Sequence, residues 1–236
     1  MRLSREIRFV AEKKHTEKRA KTAAERGSTF YAVDYTRLNV RSATLDGTLL
    51  DFADQRELFV PLLGLYQPRN AAVVLSAIEL LRKQGLTIPE SAVRQGLAQA
   101  VWHARFEKVS HDPLIIFDGA HNPQGIEQAV RSIRHYFGDN KVYLLTGVLR
   151  DKDYTGIAQM LSTVSRRAFT LTPDSPRALD AAEYAAVLQT AGVHATPYDT
   201  IEQAFLCAKE SARADGVPLV CLGSLYVYAS LSPLFE

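Results

Sequence analysis

The residue string Asp118–Pro123 reads Asp-Gly-Ala-His-Asn-Pro and places an acid, an imidazole and an amide directly after an apolar run. The run Leu114–Phe117 is typical of a buried strand, and Pro123 suits the first turn of a helix, where its missing N–H is not needed. Open α/β sheets bind ligands at the carboxyl ends of their strands. Asp118 and His121 are therefore candidate binding or catalytic residues. An ordinary strand–turn–helix with Asn122 as the helix N-cap is the alternative interpretation.

Other polar side chains also lie where predicted elements begin or end. Asn70 opens a long helical pattern, Arg105 opens the strand pattern of the second half, and Lys152 and Ser224 follow later strands. A fixed cation can hold an anion, and a hydroxyl with free backbone N–H groups at a helix N-terminus can do the same. Each position has a structural alternative. Asn70 and Ser224 can be helix N-caps, Arg105 can be a surface residue, and Asp153 beside Lys152 can lead a helix.

From Arg105 onward, short apolar runs alternate with helical patterns. This alternation predicts βαβ units that close into a mostly parallel sheet covered by helices on both faces, a Rossmann-like α/β fold. We expect a domain boundary near 103–105. The expected strands are 105–109, 114–118, 142–147, 167–172, 194–198 and 218–223. The expected helices are 123–137, 155–165, 180–191, 200–213 and 225–232.

The first hundred residues differ from this pattern. Residues 1–27 carry nine Lys or Arg and four Glu and are compatible with a helix that has one weak apolar face. Such a segment is a solvated helix, an arm that binds nucleic acid or a targeting helix, and the absence of interleaved aromatic residues favours the solvated helix. A β-rich segment follows, with Asp46-Gly47 as a turn, and then come two helices. The expected strands are 29–33, 38–45, 49–52 and 58–63, and the expected helices are 70–84 and 90–100.

Composition limits the function classes. The 236 residues are 47% apolar and 23% charged with a net charge of +2, which argues against steering of the whole protein toward nucleic acid or an acidic membrane. Cys207 and Cys221 lie in apolar runs and are expected to be buried thiols in a reducing compartment. No apolar run is long enough for a membrane span or a signal peptide, so we expect a cytoplasmic protein without a membrane partner. No His/Cys cluster indicates a metal site.

The string Asp118–Pro123 resembles the C-terminal-domain signature of folylpolyglutamate synthase, an ATP-dependent ligase that adds glutamate to folates. Further motifs follow the order of that family. Gly64–Asn70 resembles its Gly-x-His-Gln-x-x-Asn, with Tyr66 in the His position. Trp102–Glu107 resembles its Trp-Pro-Gly-Arg-x-Glu, with His103-Ala104 in place of Pro-Gly. Asp151–Asp153 and Gly223–Tyr226 also resemble family motifs. Related Mur ligases share the architecture, and the string Asp118–Pro123 favours the folate branch.

The resemblance implies a function and roles for single residues. By this resemblance, ATP would phosphorylate the γ-carboxylate of a folate, or the benzoate carboxylate of dihydropteroate in a dihydrofolate synthase, and glutamate would attack the resulting acyl phosphate with Mg²⁺ as cofactor. By the same resemblance, Asn70, Arg105 and Asp118 contact ATP, while His121, Ser224 and Lys152 bind glutamate. Asp118 and His121 are then the catalytic residues. No residue is assigned to a metal ion.

The chain contains no Gly-x-x-x-x-Gly-Lys-Ser/Thr string and so no P-loop for nucleotide phosphates. It therefore resembles the C-terminal portion of the family. Residues 1–103 would be the C-terminal part of the central ATP-binding domain and 104–236 the glutamate-ligase domain. We expect the chain to be inactive alone. A non-catalytic binding subunit that partners a separately encoded P-loop half is the alternative, and nucleic-acid binding through residues 1–27 is a third hypothesis.

Overall fold

The computed structural model describes residues 8–10 and 16–235. The chain divides into two compact units. The N-terminal unit comprises Tyr66–Val101 and the described residues up to Pro61, and the C-terminal unit comprises Leu62–Leu65 and the described residues from Trp102 onward. The short segment Leu62–Leu65 therefore belongs to a different unit from the residues on either side of it.

In its described residues, the N-terminal unit combines two small sheets with helices. β1 pairs with β2 in parallel, and β3, β4 and β5 form an antiparallel meander. The expected helix over residues 1–27 is wrong at Arg8–Val10, where pairing with β2 satisfies the backbone groups of a strand; residues 1–7 and 11–15 lie outside the described residues. The elements are β1 (Arg8–Val10), α1 (Thr16–Glu25), β2 (Phe30–Ala32), β3 (Leu38–Thr44), β4 (Gly47–Phe52), β5 (Gln55–Val60), α2 (Gln67–Lys83) and α3 (Glu90–Ala98).

The start of α2 decides the position of Asn70. The helix begins at Gln67, three residues before the predicted start, with Pro68 in its first turn. Tyr66 is the N-cap residue and makes no side-chain capping hydrogen bond. Asn70 thus lies inside the first turn, and the interpretation of Asn70 as the helix N-cap is wrong. The predicted end is confirmed, because α2 ends at Lys83 and Gly85 adopts a φ of 93° just beyond it.

The C-terminal unit is built on a six-stranded sheet with the order β10-β9-β8-β11-β7-β6. All neighbours are parallel except β6, which pairs antiparallel with β7. This mixed, mostly parallel sheet confirms the predicted α/β class. The strands are β6 (Glu107–His111), β7 (Leu114–Asp118), β8 (Val142–Thr146), β9 (Ser165–Thr170), β10 (Ala195–Pro197) and β11 (Leu219–Leu222). The helices are α4 (Pro123–Phe137), α5 (Tyr154–Ser162), α6 (Ala181–Thr190), α7 (Ile201–Asp215) and α8 (Leu225–Leu231).

Helices cover both faces of this sheet, which explains why β11 is apolar throughout and why β7 and β8 are apolar up to their last residue. On one face, Ile115 and Phe117 of β7 pack with Phe205 of α7 and Leu231 of α8 in one buried cluster. On the other face, α4 contacts α5 and α5 contacts α6. Because successive strand side chains point to opposite faces, a strand buried on both faces reads as an uninterrupted apolar run.

The position of β11 brings the functional motifs together. This last strand of the sheet lies between β7 and β8 and is parallel to both. The carboxyl ends of β7, β11 and β8 therefore lie side by side at one edge of the sheet. The residues that follow them begin with Gly119, Gly223 and Gly147, so the predicted site residues of this unit share that edge.

The cysteines differ from expectation in one respect. Cys221 of β11 is buried, as predicted, but Cys207 of α7 is exposed. Neighbouring Phe205 and Ala208 face the sheet, and the helical period turns Cys207 outward. None of the helices in the described part of the chain is long and apolar enough to cross a membrane.

Candidate functional site

A cavity of about 590 Å³ lies at the carboxyl edge of the sheet in the C-terminal unit. Three of the predicted site residues, His121, Lys152 and Ser224, line it. Asp174 and Arg177 line it as well, although the sequence analysis assigned them no role. The other lining residues are Leu149, Leu225, Tyr226, Ala229 and Ser230.

The turn after β7 holds its side chains through short local hydrogen bonds. Asp118 is 4% exposed, and its Oδ1 accepts a hydrogen bond from Ala120 N–H at 2.7 Å. His121 Nδ1 donates to Gly119 O at 2.9 Å. Asn122 caps α4, since its Oδ1 accepts from Gly125 N–H at 2.8 Å, which confirms the capping alternative for this residue. The Nδ1 bond orients the His121 ring and leaves Nε2 as the acceptor nitrogen of the neutral imidazole.

Ser224 occupies the matching position after β11. Its Oγ caps the short helix α8 by accepting from Tyr226 N–H at 3.2 Å, and the side chain is 2% exposed. The expectation that Ser224 is an N-cap is confirmed, and its hydroxyl proton can still be donated to a ligand.

Two close approaches require glycine beside these residues. Gly223 has a φ of 116°, and a Cβ there would lie 2.4 Å from Gly147 O. A Cβ on Gly119 would lie 2.1 Å from Leu225 Cδ2. Both distances are far below van der Waals contact, so a larger residue at Gly223 would displace the backbone of Gly147, and one at Gly119 would displace the side chain of Leu225. The glycines therefore let the turns after β7, β8 and β11 approach one another closely enough to enclose the cavity.

Lys152 precedes the helix α5 at the end of β8. Asp153 caps that helix by accepting from Gly156 N–H at 2.9 Å, which confirms the capping interpretation of this acid. Lys152 Nζ lies 3.4 Å from Asp151 Oδ2, and the Lys152 side chain is 28% exposed. The lysine thus reaches the cavity from a well-anchored turn.

Arg105 lies beside the turn of β7 in the same unit. Its Nη1 is 3.1 Å from the point where a Cβ on Gly119 would lie, and Gly119 N–H donates to Ala104 O at 2.9 Å. The flanking residues Ala104 and Phe106 have φ values of 56° and 49°, in the left-handed region that favours glycine. The replacement of Pro-Gly by His103-Ala104 therefore does not abolish the left-handed turn, although alanine is strained there by about 1 kcal/mol.

Glu107 holds this turn. Its Oε2 accepts from Ala104 N–H at 2.8 Å and from Tyr228 O–H at 2.9 Å, and its Oε1 lies 2.7 Å from His103 Nδ1. Desolvation and the bond to Glu107 raise the pKa of Tyr228 to about 12. One carboxylate thus joins the turn that carries Arg105 to α8, the helix that follows Ser224.

Asn70 belongs to the N-terminal unit and is exposed on the first turn of α2. Its Nδ2 donates to Gln67 Oε1 at 2.9 Å, which fixes the orientation of the amide. The two residues that match the family motif therefore form one polar pair.

Sequence reasoning gave no role to Asp174 and Arg177. The run Thr172–Ala178 follows a predicted strand and also resembles the family, and these were the two available signals. Its residues could equally form a structured loop, and only the folded chain shows that two of them reach the cavity. Among the described residues, no three His, Cys, Asp or Glu side chains group in a way that could hold a metal ion.

Comparison with known proteins identifies the family. The model of the Mur ligase, glutamate ligase domain, matches residues 104–225, more than half of the chain and seven of the ten residues that line the cavity. Folylpolyglutamate synthase of Lacticaseibacillus casei is 35% identical over 177 residues. The chain belongs to the folylpolyglutamate synthase family of Mur ligases.

Solved structures of this family confirm the fold. The Mycobacterium tuberculosis folylpolyglutamate synthase complexed with ADP and AMPPCP superposes with a TM-score of 0.85 at 24% identity, over 99% of this chain and 56% of that one. Escherichia coli FolC in complex with DHPP and ADP gives a TM-score of 0.76 at 27% identity, over 98% and 53%. The alignment to the Lacticaseibacillus casei enzyme covers 74% of this chain and 40% of that protein. The chain thus spans about half the length of the relatives it matches and corresponds to their C-terminal portion.

Proposed function

We propose that this chain supplies the glutamate-binding part of an ATP-dependent ligase that joins L-glutamate to the γ-carboxylate of a folate. The observation that carries the proposal is the convergence of His121, Lys152 and Ser224 on one cavity. An imidazole, a cation and a hydroxyl from three different strand ends suit an amino acid that brings carboxylates and an ammonium group.

His121 would act on the amine of glutamate. Because Nδ1 donates to Gly119 O, the neutral ring offers Nε2 as an acceptor. That nitrogen can accept a hydrogen bond from the ammonium group and take its proton, which leaves a nucleophilic amine. When the ring is protonated, Nε2 becomes a donor and binds a carboxylate instead. The buried carboxylate of Asp118 keeps the turn in place through Ala120 N–H.

We propose nucleotide contacts for Arg105, Asn70 and Asp118, supported by the resemblance of their motifs to those of the family. Arg105 offers a fixed cation and Asn70 an amide with both a donor and an acceptor, which fit phosphate and adenine respectively. Asp118 would lie on the nucleotide side of its turn. ATP supplies the phosphoryl group that activates the folate carboxylate. No described residue is assigned to Mg²⁺, since no suitable group of ligands occurs among them.

In this proposal, 1–103 forms part of the nucleotide-binding domain and 104–236 is the glutamate-ligase domain. The relatives are about twice as long, and the 236 residues contain no P-loop string. We therefore expect no ligase activity from the chain alone. A half that carries a P-loop would be needed to complete the nucleotide site.

Two measurements test the proposal. In a titration of the chain with L-glutamate, His121→Ala and Ser224→Ala should each weaken binding about tenfold, because each removes a hydrogen bond to a charged group. Asn70→Ala is the control and should leave the affinity unchanged. Absence of glutamate binding, or equal affinities in all variants, would contradict the proposed role of the cavity.

The second measurement is incorporation of labelled glutamate into tetrahydrofolate with MgATP. The chain alone should incorporate none, and an added P-loop half from a relative should restore incorporation. Incorporation by the chain alone would show that nucleotide is used without a P-loop and would refute the incomplete-enzyme part of the proposal.

A further inference from the structure

Two loops of the C-terminal unit form one wall of the cavity and are joined by backbone hydrogen bonds. Leu149, after β8, and Ala178, after β9, form an isolated antiparallel bridge. Arg150 N–H donates to Arg177 O at 2.8 Å, and Leu179 N–H donates to Val148 O at 2.9 Å. These bonds fix the two loops against each other, so that their side chains reach the cavity from a common base.

Asp151 links the two cations of this wall. Its Oδ2 lies 3.4 Å from Lys152 Nζ and 3.2 Å from Arg177 Nη1. Although desolvation raises the pKa of the Asp151 carboxyl, the hydrogen bond and charge of Lys152 and the charge of Arg177 outweigh it, and the pKa lies below its ordinary value. Lys152 and Arg177 line the cavity, whereas Asp151 does not. One carboxylate oxygen, on a residue outside the cavity lining, therefore contacts both Lys152 and Arg177, which line the cavity.

The neighbouring ion pair of Arg150 and Glu183 differs from the contacts of Asp151 in its geometry and its place. Arg150 binds Glu183 through two hydrogen bonds of 3.0 and 2.9 Å, and neither residue lines the cavity. Such a bidentate pair occupies one edge of the guanidinium with two parallel N–H···O bonds. Among the described contacts, the Arg177 guanidinium makes one hydrogen bond, to Asp151, out of five N–H donors. Arg177 thus has donors left for a carboxylate that enters the cavity.

We propose that Asp151 is a positioning residue. It orients Lys152 and Arg177 so that together they bind one carboxylate of an acidic amino acid. This inference rests on the proposed function, in which the cavity binds L-glutamate. Asp174 lines the same wall and can accept a hydrogen bond from an ammonium group, which favours an amino acid over a simple dicarboxylate.

The direction in which Asp151→Asn changes the affinity for glutamate distinguishes a positioning role of Asp151 from a purely electrostatic one. Asp151→Asn removes a negative charge beside the cavity, so electrostatics alone predicts tighter binding of an anion. If Asp151 instead positions Lys152 and Arg177, these side chains are more mobile in the variant. Ordering them on binding then reduces the binding free energy. A positioning role therefore predicts that Asp151→Asn binds glutamate more weakly, even though the substitution makes the cavity more positive.

The experiment is an NMR titration of the complete ¹⁵N-labelled chain with L-glutamate. Asp151→Asn should raise Kd by about three- to fivefold, the range expected for coupling through exposed ion pairs. Asp151→Glu, which keeps the charge, should restore most of the affinity. Glu183→Gln is the matched control, because it removes the counter-ion of Arg150 on the same loops but outside the cavity, and its Kd should stay within about twofold of the parent.

A double variant completes the test. If Asp151 acts through Lys152 and Arg177, then Asp151→Asn should raise the Kd for glutamate by a smaller factor in an Arg177→Gln background than in the parent, because only Lys152 is left for Asp151 to position. An unchanged or tighter Kd in Asp151→Asn, with native amide spectra, would overturn the inference and leave the glutamate-binding function in place. Absence of saturable binding to the unmodified chain would overturn both.

Discussion

The two units of the molecule differ in how they present functional side chains. In the C-terminal unit, residues from three strand ends line one cavity. In the N-terminal unit, the candidate Asn70 lies exposed on α2 and is paired with Gln67. Parallel strands have all their carboxyl ends at one edge, whereas an antiparallel meander distributes its turns between both edges. The parallel sheet therefore gathers a site from distant sequence positions, and the small antiparallel sheet does not.

The largest expected effect tests the close packing behind the cavity. Gly223→Ala should lower the free energy of unfolding by about 3 kcal/mol, because the new Cβ would meet Gly147 O at 2.4 Å and an alanine is strained at a φ of 116°. Gly96→Ala in α3 is the control in the N-terminal unit, where the Cβ meets open space. It should stabilise by roughly 0.5–1 kcal/mol. Urea denaturation measures both, and similar values for the two variants would remove the contrast between the units.

A smaller effect concerns helix starts in the two units. Asn122→Ala should cost about 1 kcal/mol of stability, because Asn122 Oδ1 caps α4 through Gly125 N–H. Asn70→Ala is the matched change on α2, which has no side-chain cap, and should stay within about 0.5 kcal/mol. Thermal unfolding of both variants checks the difference. A larger loss for Asn70→Ala would mean that its pair with Gln67 stabilises α2 more than a cap stabilises α4.

The smallest effect is a change of slope at alkaline pH. Desolvation and Glu107 raise the pKa of Tyr228 to about 12, above its value of about 10 in the unfolded chain. The unfolded state then loses this proton first, so the stability contributed by Tyr228 is fully present below pH 10 and falls as pH rises toward about 12. Tyr228→Phe should flatten that fall in denaturant titrations between about pH 10 and 12. Tyr31→Phe, at a 39% exposed tyrosine of the N-terminal unit, is the control; an unaltered slope in Tyr228→Phe would argue against this hydrogen bond.

Local patterns in the sequence predicted most elements of the C-terminal unit. The apolar run Leu114–Phe117 became β7, and Asn122-Pro123 became a helix cap and first turn. These features depend on backbone preferences and on periodicity over a few residues, which the sequence displays directly. The same reasoning failed where tertiary contacts decide. Strand pairing made Arg8–Val10 a strand, and helix phase exposed Cys207.

The sequence by itself determined the α/β class, the family and the motif residues His121, Lys152 and Ser224. Only the tertiary structure decided that β11 enters between β7 and β8, that Gly223 approaches Gly147, and that Asp174 and Arg177 reach the cavity. The physical reason is the range of the forces involved. Element type follows from neighbouring residues. Strand order and the contact of Asp151 with Arg177 arise only when segments far apart in sequence pair through backbone hydrogen bonds and buried apolar surface.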